Sequence, residues 1–305
     1  MPLQRTKSVF NAVDWRFSES VDSDNFTRPP FATQGADNQA GLQSVALYER
    51  SLPMSHNILV LGATGALGTH VARQALAAGH QVTALVRNPA RLAPDLQGRV
   101  AVQVADLASA TTAELAAAMR GHSAQINTAG NVTDGDGFVQ LVDRIISAAE
   151  SLEPGAQPVC WFLAGAGLLA LDAKGRRGLD LPKVRTTYWP HARNHERLLR
   201  SPLDWRLLCP GPMTDAPAVG VDRLRVRTEQ LPVQMPSYTA SLPDLLALVL
   251  FASRMPEMIV PYADAAALML QHLSPGGPMA RQRVGLALPV GMKGHKAQWA
   301  AKPGQ

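Results

Sequence analysis

Seven residues, Gly62-Ala63-Thr64-Gly65-Ala66-Leu67-Gly68, place a glycine at every third position. The apolar run Ile58-Leu59-Val60-Leu61 stands before them, and a helix-like stretch, His70 to Ala78, follows. A strand, a glycine turn and a helix start in that order make an anion cradle, because the first N–H groups of a helix lack intrahelical partners and sit at its positive end. Gly62 lets the chain turn sharply at the strand end. Gly65 leaves room for a pyrophosphate to reach the backbone, and Gly68 lets the helix lie close to the sheet. Gly62, Thr64, Gly65, Ala66, Leu67 and Gly68 are therefore the candidate phosphate-binding residues. A second apolar run, Gln81 to Val86, closes a strand–helix–strand unit, which distinguishes the pattern from a glycine turn without a ligand.

The residues after the second strand bear on which dinucleotide is held. A carboxylate there would bind the ribose hydroxyls of NAD and repel a 2′-phosphate. This chain instead reads Val86-Arg87-Asn88-Pro89-Ala90-Arg91, with no acid before Asp95. Arg87 is placed to pair with the 2′-phosphate through a charge-assisted fork, with Arg91 in support one turn later. The expected cofactor is NADP(H); the alternative is a solvated loop arginine.

The G-x-x-G-x-x-G spacing with its apolar lead-in resembles the extended and atypical short-chain dehydrogenase/reductases. That resemblance assigns further cofactor contacts. Asp106, in Val104-Ala105-Asp106-Leu107, stands where an acid meets the adenine amino group; a turn or helix-cap aspartate is the alternative. Asn127-Thr128-Ala129-Gly130-Asn131 resembles the family's N-A-A-G segment, which makes Ala129 and Gly130 neighbours of the adenine-side ribose. Cys209-Pro210-Gly211-Pro212-Met213-Thr214-Asp215 resembles the R-P-G turn beside the nicotinamide and singles out Pro210, although a proline turn also arises for structural reasons alone.

The usual catalytic set of these enzymes is incomplete. It needs a Ser to polarise a carbonyl, a Tyr to transfer the proton and a Lys four residues on to lower the Tyr pKa. The strand end that should carry the Ser reads Leu163-Ala164-Gly165-Ala166, and Tyr188 is followed four residues later by Ala192. Lys183 lies on the wrong side. Without a cation the tyrosine pKa stays near 10, so ordinary alcohol/ketone, epimerase or dehydratase chemistry lacks its parts.

The segments His191-Ala192-Arg193-Asn194-His195-Glu196-Arg197-Leu198-Leu199, Ser201 to Pro210, and Ile259-Val260-Pro261-Tyr262-Ala263-Asp264-Ala265-Ala266 resemble a narrower group. It comprises NAD(P)H-binding reductases of the flavin/biliverdin-IXβ type and NmrA-like proteins. By motif order the resemblance runs from Met54 to Val290. The group's assisting Ser and later His fall at Ala166 and Pro212, which argues against bilin reduction. His191 and His195 share a helix face. They are candidate proton donors beside Tyr188; the alternative is a packed helix face. No further ligands accompany them, so no metal site is expected. The resemblance implies an NADPH-dependent oxidoreductase passing hydride to a conjugated acceptor such as a flavin or quinone. The alternative is a non-catalytic NADP(H)-binding regulator.

These residues need elements to position them. Strand-like runs at Asn57–Leu61, Gln81–Val86, Arg99–Val104, Ala124–Asn127, Pro158–Leu163 and Trp205–Cys209 alternate with helix-like runs at Ala66–Ala78, Thr111–Met119, Phe138–Leu152 and Ala192–Leu199. The alternation predicts an α/β doubly wound parallel sheet, a Rossmann fold, with its cofactor-binding strand ends on one edge. Beyond Pro210 a short strand at Arg223–Val226, helices at Leu242–Ala252 and Ala263–Leu273, and a late strand at Arg283–Leu288 predict a small C-terminal cap on the substrate side.

Residues 1–53 lack periodicity and are rich in polar residues, Pro and Gly, which predicts a loosely ordered extension. Its aromatics could dock on the domain. The functional start is expected near Met54, with the domain over 54–290 and a flexible Gly/Lys-rich tail over 291–305. The net charge is +5, and the extension holds five Lys/Arg against six Asp/Glu, so the basic excess lies in the rest of the chain. That excess suits anionic phosphates; no basic patch interleaved with aromatics points to nucleic acid. No apolar run is long enough to cross a membrane; the best, Leu245 to Ala252, is far too short. The two cysteines, Cys160 and Cys209, lie in apolar runs and read as buried residues. A cytoplasmic protein with a small-molecule substrate is expected.

Overall fold

In a computed structural model the chain divides into two units, Met1–Met54 and Ser55–Gln305. The structure describes residues 55–295, all within the second unit. The expectations for residues 1–53 and for most of the tail lie outside the described residues.

The sheet is built from β1 (Asn57–Leu61), β2 (Gln81–Val86), β3 (Ala101–Val104), β4 (Ala124–Asn127), β5 (Val159–Leu163), β6 (Trp205–Leu208), β8 (Arg225–Thr228) and β10 (Gln282–Ala287). Their order is β3-β2-β1-β4-β5-β6-β10-β8, and all pairings are parallel except β10 with β8. The strand order reverses between β1 and β4, so the crevice for a dinucleotide opens at Leu61 and Asn127. The central strands β1 and β5 are nearly continuous apolar runs because both of their faces are covered. Leu59, Leu61, Cys160 and Phe162 belong to one core cluster, while Ile58, Val60, Ile126 and Trp161 belong to the other. Helices α1 (Ala66–Ala77) and α6 (Tyr262–Gln271) pack together on one face. Helices α2 (Thr112–Met119), α3 (Asp136–Glu150) and α4 (Val184–Leu199) follow one another on the opposite side.

The expected helix over Ala192–Leu199 begins eight residues earlier, at Val184. Pro190 removes a backbone donor inside it, which from sequence signals a boundary. Its ring and Val184 are both buried, and that packing carries the helix through the proline. Two short strands, β7 (Met213–Thr214) and β9 (Val260–Pro261), pair in a separate ladder. Their two-residue length leaves no period to read. The late strand extends the main sheet as β10, and β8 closes its edge. Helix α5 (Asp244–Arg254) buries Ala247 and Phe251. No helix among the described residues is long and apolar enough to cross a membrane.

Candidate functional site

The crevice is organised around Gly62. Its φ of +84° is the left-handed conformation that favours glycine, and a Cβ there would stand 2.8 Å from the Ala129 nitrogen. Thr128 joins the two strand ends: its hydroxyl donates to the Leu61 carbonyl at 2.9 Å and lies 3.2 Å from that of Gly62. Gly68 is buried against the same turn, and a Cβ on it would fall 2.2 Å from the Gly62 oxygen and 2.7 Å from the Thr128 hydroxyl. Gly65 differs from both. Its backbone is extended, and a Cβ would meet only the Gly62 oxygen, at 3.4 Å. Space is open at Gly65, which is also the N-cap of α1. No side chain caps that helix, and no acid stands in its first turn. The N–H groups of Ala66, Leu67 and Gly68 thus sit at an uncompensated positive helix end beside solvent-exposed Gly65 and half-exposed Thr64. This arrangement fits a pyrophosphate.

Arg87 follows β2 on the same edge of the sheet and is exposed, with no ion pair among the described residues. The next residues are fixed locally, since Asn88 accepts the Ala90 N–H at 3.0 Å and starts the short turn Pro89–Arg91. Asp106, also exposed, accepts the Ala108 N–H at 3.0 Å through one carboxylate oxygen. That is a turn-capping bond, and its second oxygen has no such bond. Asp106 borders an open cavity of about 520 Å³ that Leu85, Val104, Ala105, Ala110 and Ala117 also line. Ala129 donates its N–H to the Asn127 side chain at 3.0 Å. Gly130 has a φ of +111°, and the Phe138 ring lies 2.4 Å from where its Cβ would stand.

Pro210 is buried, and its carbonyl accepts the Ala166 N–H at 2.8 Å, which ties the turn after β6 to the end of β5. Gly211 packs on the Met258 backbone, and the Val260 N–H reaches the Pro212 carbonyl at 3.2 Å. His70 of α1 meets Asp215 at 3.0 Å, and its ring stacks on Tyr262 with centroids 6.2 Å apart. Asp264 is buried and holds the following loop: its two carboxylate oxygens accept the N–H groups of Val219 at 2.8 Å and Gly220 at 2.9 Å. Sequence reasoning noticed this aspartate only as part of a motif. Its anchoring role follows from a contact more than forty residues distant.

On α4 the three candidate side chains separate. His191 is 8% exposed and lies between rings, stacked with Tyr188 at 6.2 Å and edge-on to Phe138 at 5.7 Å. Its Nε2 edge passes 3.6 Å from the Cβ position of Gly165, at the end of β5. His195 is equally buried but faces the Trp205 ring of β6, at 5.9 Å, and senses Arg283, Glu229 and Arg177. The shared helix face therefore does not bring the two imidazoles to one point. Burial pushes both down to about 4, so each is neutral at pH 7. Burial also raises the Tyr188 phenol, which stays protonated. Ala164 and Ala166 leave the β5 end without a hydroxyl. No group of three or more metal-ligating side chains occurs among the described residues. Both cysteines are free and buried, with Cys160 pushed up to about 12.

A family model described as NAD(P)H-binding matches residues 62–239, more than half of the chain. No curated protein matches it. Among solved structures, the chain is similar to ChuY, an anaerobilin reductase from Escherichia coli O157:H7, at 20% identity and a TM-score of 0.52, covering 81% of this chain and 100% of that one. A candidate NADH-flavin reductase from Streptococcus pneumoniae matches at 21% identity and 0.56, covering 77% and 100%. A short-chain dehydrogenase/reductase from Veillonella parvula matches at 15% and 0.55, covering 82% and 99%. At these identities the likeness shows the Rossmann fold. With the family match over the glycine turn and the strands that follow it, the chain belongs to this NAD(P)H-binding family.

Proposed function

We propose that the protein is an NADPH-dependent reductase that delivers hydride to a flat conjugated acceptor, a flavin or a quinone. The observation that carries this reading is the open step at Gly65 on the uncapped start of α1, with an unpaired arginine beyond the adjacent strand. In this reading Gly62, Thr64, Gly65, Ala66, Leu67 and Gly68 hold the pyrophosphate. Arg87 takes the 2′-phosphate, the free oxygen of Asp106 meets the adenine amino group, and Ala129 and Gly130 border the ribose. Pro210 shapes the wall beside the nicotinamide. The bound dinucleotide supplies the hydride. Tyr188 and His191 line the acceptor side, while His195 packs the helix onto β6 and has no part in the chemistry. A conjugated acceptor can take its proton from water, so it needs no Tyr–Lys pair.

A second reading, a non-catalytic NADP(H)-binding regulator, is favoured by one observation: Ala164, Ala166 and Ala192 replace the polar groups of the usual mechanism.

Fluorescence titration of NADPH and NADH tests the cofactor assignment. A phosphate–arginine bond contributes about 1.5–3 kcal/mol, and the exposure of Arg87 favours the lower end, roughly tenfold in affinity. Wild type should prefer NADPH by that factor and Arg87→Ala should lose the preference. Equal affinities in wild type would refute the assignment.

A further inference from the structure

The two rings packed on His191 leave its two nitrogens in different situations. Nδ1 is buried and has no hydrogen-bond partner among the described residues. Nε2 lies along Gly165, at the strand end where a hydroxyl is missing, and unlike Nδ1 it is not a fully buried unpaired atom, so a donor there is not sealed from solvent. A neutral imidazole carries one N–H. A buried N–H without an acceptor costs about 1–3 kcal/mol, and orphaned donors are rarer in proteins than orphaned acceptors. The proton therefore belongs on Nε2. The ring cannot readily turn, because Phe138 meets its edge and is itself seated against the bare Cα of Gly130, while Tyr188 covers its face. No charged side chain bears on the imidazole; burial alone sets its ionisation.

We propose that His191 is a catalytic hydrogen-bond donor: its neutral Nε2–H, held beside Gly165, binds a carbonyl oxygen of a quinone-type acceptor and stabilises the negative charge that develops there. This rests on the reductase reading and goes beyond it by naming the donor and the acceptor group. In the step, the acceptor gains a hydride, hence two electrons, from the reduced nicotinamide, which is oxidised. Charge collects on the acceptor oxygen opposite Nε2. The hydride ends as an O–H bond at the quinone's other oxygen, the nicotinamide C–H bond that held it being broken. Water then protonates the oxygen at Nε2 and leaves hydroxide to the solvent, which completes the hydroquinone, and His191 keeps its own proton throughout. A donor of this kind, fixed before the reaction, is worth about 10²–10³ in rate where water is excluded.

The test uses the full chain. His191→Phe keeps an aromatic ring without a donor, and His191→Gln restores a donor near the Nε2 position. Single-turnover NADPH oxidation by tetramethyl-benzoquinone should slow at least tenfold in His191→Phe and recover most of the loss in His191→Gln. NADPH affinity should be unchanged in both. Because the imidazole is neutral throughout, the wild-type rate should show no histidine titration between pH 5.5 and 8.5. In parallel, ¹⁵N-histidine NMR should give His191 as the Nε2–H tautomer, identified by its loss in the glutamine variant. Tetramethyl-benzoquinone with NADP⁺, which cannot reduce it, should shift that signal. Wild-type turnover in His191→Phe, an Nδ1–H tautomer, or a signal that ignores the quinone would each overturn the proposal. If the wild type binds NADPH and reduces no acceptor, the reductase reading has failed, and the NMR arm alone decides the role of His191. A phenylalanine variant that does not fold leaves the glutamine variant, the tautomer and the quinone shift to decide.

Discussion

Alanine at Gly65 and at Gly68 should have opposite consequences, although the two glycines are three residues apart. At Gly68 the added Cβ would stand 2.2 Å from the Gly62 oxygen, where an ordinary contact begins at 3.4 Å. The clash is with backbone, so no side chain can swing aside, and α1 must withdraw from β1 by roughly an ångström. Overpacking of this kind costs about 1–3 kcal/mol or more, and the better helix propensity of alanine returns about 1 kcal/mol. Because the clash is with backbone, the cost lies at the top of that range, and a net loss of about 2 kcal/mol should lower the thermal midpoint by roughly 4–8 °C for a domain of this size. At Gly65 the backbone is already extended and the Cβ has room. Gly65→Ala should leave the midpoint unchanged or raise it slightly through the unfolded chain's lost entropy. The same methyl occupies the space a pyrophosphate needs. Losing one charge-assisted bond from the helix start, about 1.5–3 kcal/mol, should weaken NADPH binding tenfold or more, and Gly65→Val should abolish it. Scanning calorimetry and fluorescence titration on the same preparations separate the two effects. If Gly65→Ala binds NADPH as wild type does, the phosphates lie elsewhere. If Gly68→Ala keeps its midpoint, the close approach of α1 is not needed.

Asp264→Asn leaves one acceptor oxygen for two part-buried N–H donors, so it should cost about 1 kcal/mol and lower the thermal midpoint; an unchanged midpoint would show that Val219 and Gly220 find other partners. Stability should also fall with acid before the carboxylates titrate. His191 and His195 have folded pKa values of about 4, below the unfolded value near 6.5, so the unfolded chain binds protons first as pH falls. The stability present above pH 6.5 should therefore be lost between about pH 6.5 and 4, by up to roughly 3 kcal/mol per histidine. Urea midpoints across that range check this; burial lowers His80 and His272 as well, so His191→Phe should reduce the slope without abolishing it, and an equal slope would mean that His191 is not held neutral.

Much of the fold is legible from the chain because its strands are short apolar runs bounded by polar or glycine positions. The ends of β1, β2 and β4 fall at the residues where those runs stop. The glycine spacing likewise locates the β1 turn, since its third glycine reports a helix packed against a strand. What the chain hides is set by tertiary contact. Pro190 reads as a helix boundary, yet it is a buried helical residue. Asp264 reads as a motif position, yet its carboxylate secures a distant loop. Spacing of four places His191 and His195 on one face without showing that one meets the β5 end and the other meets Trp205. Gly130 reads only as a small residue in a family-like segment; that its missing Cβ also makes room for Phe138, a side chain eight positions on, is not legible in the spacing.

The most direct test of the account is single-turnover oxidation of bound NADPH against a panel of flavins, quinones, bilins and aldehydes, with NADPH affinity measured alongside. NADPH should bind tightly and be oxidised by at least one flavin or quinone, with little turnover of aldehydes, whose reduction needs the missing Tyr–Lys pair. Tight NADPH binding with no acceptor reduced would contradict it and leave the regulator reading in its place.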